Sequence, residues 1–243
     1  MNRSNVNSRT CRQPLIAANF PGRGIRCCCP GLQPEDGCQP TFPVMTEFDE
    51  DFTSLANWTP ITVGNPAPAI APAPEAGHPN AQSLASGAPV SLALLAFGPA
   101  MVDPSNPLSQ PNFSVCWRLR QVLPADQSTG FVVGMVDPTL QDFVAIALDP
   151  GVSPTNLLLV WQSGGGPRTD VVTPFVMNGA WHAIHLERIG QGPFVLAVDG
   201  VRFVAPADLG PGVLPAQPLQ VCFGALGIFA AADVLIDGFS LAF

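Results

Sequence analysis

Side chains able to do acid–base, nucleophilic or metal chemistry are few in this chain of 243 residues, and their spacing restricts each of them. There are 18 carboxylates, ten arginines, three histidines and seven cysteines, with neither lysine nor tyrosine. A lysine nucleophile, a lysine Schiff base and a tyrosine acid are thereby excluded. The densest carboxylate run is Glu47-Phe48-Asp49-Glu50-Asp51. In an extended strand Glu47, Asp49 and Asp51 share one face, an arrangement used in glycoside hydrolysis, where one carboxylate is nucleophile and another acid/base. His182 and His185 stand three apart, so on a strand they point to opposite faces and cannot share one metal ion without a bulge. His78 lies in a Pro-rich loop. The chain has no G-x-S-x-G elbow, and Gly164-Gly165-Gly166-Pro167 lacks the lysine and following helix of a phosphate loop.

Five of the cysteines, Cys11, Cys27, Cys28, Cys29 and Cys38, crowd the start of the chain. They could hold zinc, form disulfides or remain reduced in an arm. Three adjacent cysteines cannot easily face one ion, and zinc sites use paired knuckles. Cys116 and Cys222 fall in strand-like runs and read as small buried hydrophobes, with a disulfide across the fold as the alternative. Calcium is a second metal question: Asp137 and Asp142 share a turn, with Asp149 in the next. Asp103, Asp137 and Asp149 each precede proline, which is turn chemistry and the preferred reading.

These groups must be positioned by strands. Hydrophobic residues make up 47% of the chain and charged residues only 12%, against about 25% charged in a typical domain. With 28 prolines and 23 glycines, long helices are excluded. Asn112–Val122 alternates cleanly, with Phe113, Val115, Trp117 and Leu119 on one face and Ser114, Cys116, Arg118 and Arg120 on the other. Further strands are predicted at 130–136, 143–148, 157–162, 181–189, 194–198, 201–204, 219–226 and 233–243. Asp199-Gly200 between apolar runs is a hairpin turn. Asn65–Pro74 (NPAPAIAPAP) suits polyproline II or a sheet edge, never a central strand. The expected fold is all-β: an antiparallel two-sheet jelly-roll sandwich over residues 44–243, with Pro-rich loops at 64–111 and an extended arm at 1–43. The arm carries five arginines against Glu35 and Asp36, a net +3, and the remainder a net −11. An acidic body argues against nucleic acid. No apolar run is long or unbroken enough to predict a membrane span, and no signal peptide is read at the start.

Three short motifs resemble the concanavalin A-like (laminin G-like) jelly rolls. Phe48–Phe52 followed by Asn57-Trp58 is similar to their opening strand. Trp181-His182 through Asp199-Gly200-Val201 is similar to their most recognisable hairpin. Val234–Leu241 is similar to their closing strand, which pairs with the first. The resemblance implies the sandwich fold and leaves function open between lectins, hydrolases, adhesion modules and virion subunits. Some members hydrolyse β-glucans with two Glu flanking an Asp on a mid-domain strand. Here the third position is Asp51 and the run opens the domain, so hydrolysis is not favoured.

For glycan binding, the best surface is a sheet face lined by Arg118, Arg120, His185 and Glu187, with Trp161 exposed at a strand end. The same face also reads as a solvated surface with cross-strand ion pairs. The function expected is a non-enzymatic, cofactor-free structural or attachment subunit of a large assembly. A phage virion surface protein, of decoration or tail type, fits best. It would be made in the host cytoplasm, oligomeric, docked on other subunits through residues 1–43, and able to meet cell-surface glycans. A free, extracellular lectin-like module is the alternative, and a β-glucan hydrolase is less favoured.

Overall fold

The computed structural model describes residues 38, 40–44, 47–50, 52, 55–63, 69–86, 91–102, 112–121, 129–190, 192–204, 218–227 and 232–242. Among them are fifteen β-strands and no helix. In chain order these are β1 (Glu47–Glu50), β2 (Trp58–Val63), β3 (Ala69–Pro72), β4 (Gln82–Ser86) and β5 (Ser91–Val102). Next come β6 (Asn112–Gln121), β7 (Thr129–Val136), β8 (Phe143–Leu148), β9 (Asn156–Gln162) and β10 (Thr169–Val176). The last five are β11 (His182–Ile189), β12 (Val195–Val198), β13 (Val201–Val204), β14 (Leu219–Gly227) and β15 (Ala232–Ala242).

They form two wholly antiparallel sheets. Sheet 1 runs β13-β12-β11-β6-β15-β4-β3, with β1 also paired to β15; sheet 2 runs β10-β9-β8-β7-β14-β5-β2. This is the jelly-roll sandwich that the strand spacing predicts. The opening strand lies beside the closing one, Phe48 opposite Leu241. The Asp199-Gly200 turn joins β12 to β13 with both residues at positive φ, 49° and 79°, as a type I′ turn requires.

Two parts of the pattern differ from expectation. The 64–111 region contributes three strands, β3 to β5, rather than loops alone; the Pro-rich β3 does take a sheet edge, where a missing N–H leaves no ladder bond unmade. Strand β10 went unread because it carries Pro174 and alternates weakly; it too is an edge strand.

The core follows from alternation. Phe113, Val115, Trp117 and Leu119 of β6 meet Ile184 and Leu186 of β11, Phe131, Val133 and Met135 of β7, and Phe223 of β14 in one cluster. Trp58 sits within 5.0–5.7 Å of the rings of Phe52, Phe97, Phe223 and Phe239, adding directional ring contacts to burial. Sheet 2 is also apolar on its far side, where Ala145, Ala147, Leu158 and Val160 form one cluster and Leu94, Val136 and Cys222 another. A strand apolar on both faces reads as an unbroken run rather than an alternation, as in Phe143–Leu148 (FVAIAL). Burial pushes the Cys222 thiol up to about 12, which leaves it protonated and unreactive.

One core position breaks the rule. Arg188 is 2% exposed. Among the described residues its three guanidinium nitrogens have no hydrogen-bond partner, and the group lies 4.8 Å over the Phe194 ring. Burial draws it down to about 10. Because the unfolded chain holds that proton more tightly than the fold does, stability rises with pH once pH passes about 10. Replacing an uncompensated buried charge by an apolar residue of similar volume is stabilising by about 1–3 kcal/mol. Arg188→Met is therefore expected to unfold at higher denaturant concentration at pH 7, with the gap to the parent protein narrowing above pH 10; equal midpoints at pH 7 would refute this.

Candidate functional site

The outward row of β6 organises one face of sheet 1. Ser114 stands opposite Glu187 of β11, Cys116 opposite His185 and Arg118 opposite Ala183. On the other side Ser240 and Gly238 of β15 stand opposite Cys116 and Arg118. Residues 38 and 40–43, the described part of the expected arm, begin against this face as a strap.

Cys38 is joined by a disulfide to Cys116, with their Cα atoms 5.6 Å apart, and packs on Ala183. This corrects the reading of Cys116 as a free hydrophobe or a partner of Cys222, which remains free, and it commits Cys38 to a bond rather than to zinc. Cys11, Cys27, Cys28 and Cys29 lie outside the described residues. Three residues along the strap, Thr41 donates its backbone N–H to Glu187 Oε2 at 2.7 Å and its hydroxyl to Oε1 at 2.6 Å. Arg202 of β13 adds a third donor at 3.2 Å.

The predicted glycan face is therefore not an open one. Glu187 is 1% exposed and held from above. His185 is also buried, its Nε2 within 2.7 Å of the Ser114 hydroxyl. Trp161 belongs to the core: it shares the inner face of β9 with Leu157 and Leu159, so the strand's own alternation turns it inward. Arg118 and Arg120 do remain at the surface, beyond the strap.

There the face opens into a groove of about 320 Å³, lined by Gly77, His78, Arg118, Trp181, His182, Ala183 and Asp199. Of the four tryptophans, Trp181 alone is not buried. The loop between β3 and β4 folds over it. His78 stacks on its ring at 3.8 Å and 15°, with Nδ1 at 2.9 Å from Asp237 Oδ2. The indole N–H donates to Glu75 Oε2 at 2.9 Å. Arg120 donates to Glu75 Oε1 at 2.6 Å and to the Gly179 carbonyl at 2.8 Å. The Trp181 hydrogen bond, then Arg120, holds the Glu75 carboxyl below its usual range. Asp237 stands at a bulge in β15 between Ile236 and Gly238, and such a bulge re-aims a side chain. On the opposite wall both ring nitrogens of His182 face oxygens, Asp199 Oδ2 at 2.7 Å and Asn178 Oδ1 at 2.9 Å. Asp199 also accepts the Ala183 N–H at 2.9 Å.

The groove thus joins a half-buried aromatic ring, two imidazoles fixed by carboxylates and a guanidinium. Trp181 shares the outward row of β11 with His185 and Glu187, two of the residues predicted for the glycan face, but the sequence did not bring out His78, Glu75 and Asp199 as its neighbours. The motif Glu75-Ala76-Gly77-His78 has no periodicity that could announce where its loop lands.

The calcium candidates are turn builders. Asp137 Oδ1 accepts the N–H groups of Gln141 and Asp142 at 2.9 and 3.2 Å. Asp142 Oδ1 accepts that of Gly164 at 2.6 Å. Among the described residues, no group of three His, Cys, Asp or Glu could hold a metal. Of the hydrolase candidates, Glu47 and Asp49 lie in β1 beside β15, with side chains not described, and Asp51 lies outside the described residues.

No family model matches the chain, and no curated protein matches it. Solved structures share its fold. A protein of unknown function from Shewanella oneidensis aligns with TM-score 0.57 and 12% identity over 84% of this chain and 89% of its own. A family 16 glycoside hydrolase, an endo-glucanase from Bacteroides ovatus, aligns with TM-score 0.55 and 10% identity over 80% and 99%. The globular domain of Trypanosoma cruzi calreticulin aligns with TM-score 0.53 and 12% identity over 79% and 87%. These likenesses show a shared two-sheet jelly-roll sandwich. At such identities they establish the fold alone.

The strap's clamp on Glu187 has a measurable weight. Thr41→Val removes the hydroxyl donor and leaves Oε1 of a buried carboxylate short of a partner, which costs about 1–3 kcal/mol. Denaturant unfolding of the oxidised protein is expected to show that loss, and Thr41→Ser is expected to restore most of it.

Proposed function

We propose that this chain is a non-enzymatic attachment module, a surface subunit of a large assembly such as a phage virion, and that it takes glycans in the groove beside Trp181. The groove carries the reading. A sugar offers an apolar C–H face and a ring of hydroxyls, and it needs an aromatic surface with a few fixed polar groups around it. Trp181, His78, Arg118, His182 and Asp199 supply that set, and the ion pairs behind them hold it in place before a ligand arrives. That one relative in fold is an endo-glucanase favours a saccharide as the ligand class.

One feature supports a role in assembly. The strap fixes where residues 1–37 join the sandwich, and that segment carries all five arginines of the arm opposite an acidic body. Charge of opposite sign steers such an arm onto neighbouring copies. In this reading the protein is made in the host cytoplasm and works on the particle surface. A free lectin-like module would use the same groove without the arm.

Two measurements separate these readings. On a glycan array followed by calorimetry, the full chain is expected to bind a defined saccharide set. Trp181→Ala should weaken that binding about tenfold or more, as loss of a stacking aromatic costs on the order of 1–3 kcal/mol. Retained affinity in Trp181→Ala would sink the groove as the site. Light scattering is expected to show oligomers of the full chain that are lost when residues 1–37 are removed. Equal masses would leave the free lectin-like module as the better reading.

A further inference from the structure

We propose that the far side of sheet 2 holds a second binding site, which takes a small neutral apolar molecule of about benzene's size in a hollow between its two apolar clusters. The site is separate from the groove beside Trp181, which opens on the outer face of sheet 1.

The hollow measures about 120 Å³. Ala145, Ala147 and Val160 line it from one cluster, and Leu94, Val136 and Cys222 from the other. The clusters do not close on each other for a local reason. Gly134 of β7 stands between Ala145 of β8 and Cys222 of β14 in the sheet. A Cβ at Gly134 would stand 2.4 Å from the Val144 carbonyl oxygen, so that position cannot carry a side chain to fill the gap. The atoms around the hollow therefore lack contacts on one side, and a ligand of matching surface restores them.

The lining decides what that ligand is. A water molecule needs two to four polar partners, and aliphatic walls supply none. Burial keeps the Cys222 thiol protonated, and it is already hydrogen-bonded to the backbone of Gly134. Among the described residues of the lining, Arg168 alone is charged. Its Nε donates to Asp170 Oδ1 at 2.6 Å and its Nη2 to Asp149 Oδ2 at 2.8 Å. Two carboxylates on one guanidinium leave the rim with a surplus of negative charge, so an anionic ligand is disfavoured and a neutral one is not. An apolar cavity of about 150 Å³ stays dry and takes benzene. The hollow here is slightly smaller, and the unbranched side chain of Met135 in its wall adapts readily to close that difference.

Benzene and sodium hexanoate, added to the full chain, are the probes. Benzene at roughly tenfold its Kd is expected to raise Tm by about 3–6 °C. Hexanoate at the same concentration would bring its carboxylate to Asp149 and Asp170, and it is expected to leave Tm unchanged. Ala145→Leu fills the hollow and is expected to abolish the benzene shift. Ala147→Val fills it in part and is expected to reduce the shift, which keeps the test in hand if the larger side chain prevents folding. Calorimetry at 25 °C reads binding without unfolding and is expected to give one benzene per parent chain. No benzene binding to the parent chain, or the same Tm shift in the parent and the folded filling variants, would overturn the site. A hexanoate shift equal to that of benzene would overturn the choice of a neutral ligand.

Discussion

The alternation of one strand holds this molecule together. β6 turns Phe113, Val115, Trp117 and Leu119 into the core and Ser114, Cys116, Arg118 and Arg120 outward. It lies in the middle of sheet 1 between β11 and β15. A slip of one residue would exchange the two sets, placing two arginines in an apolar core and stripping the outer face of all it does. Along the outward set, Ser114 meets His185, Cys116 anchors the strap, Arg118 enters the groove and Arg120 fixes the loop over Trp181. The core and the groove face are thus two consequences of one register, and the energy that buries the first also positions the second.

That coupling explains how a small, sparsely charged chain keeps an ordered polar site. The groove is built from distant pieces: the β3–β4 loop, the start of β11, the β12–β13 turn and a bulge in β15. Each is fixed by an ion pair or hydrogen bond at its root, so the rings and carboxylates face one another without a ligand to order them. The strap works in the same way. Its two attachments, a covalent one to Cys116 and a hydrogen-bonded one to Glu187, fix both position and direction along the sheet. Arg188 marks the opposite case, a charge taken into the core with no hydrogen-bond partner among the described residues and set against the ring of Phe194.

Much of the fold was legible in the sequence, because period-two patterning and turn chemistry are local signals. The hairpin about Asp199-Gly200, the strand Phe143–Leu148 and the edge position of the Pro-rich segment follow from residues within a few positions of one another. β10 was not legible, since Pro174 and its exposed valines hide an edge strand. The site was legible only in part. The correct face followed from the alternation of β6 and β11, and Trp161 could have been assigned to the core by the same count from Leu157 and Leu159. The strap could not, because Thr41 and Glu187 are 146 residues apart and nothing in either neighbourhood names the other. His78 over Trp181 is a contact of the same kind, made by a loop with no pattern of its own.

The central claim is that Cys116 faces outward from β6 and ties the strap to the outer face of sheet 1, beside the groove. Peptide mapping of the full chain, isolated under oxidising conditions and digested without reduction, tests it most directly by mass spectrometry. The account predicts a linked peptide pair containing Cys38 and Cys116, with Cys222 recovered as a free thiol. A Cys116 recovered free, or joined to Cys222 or to one of the earlier cysteines, would contradict the register, the strap and the groove beside them together.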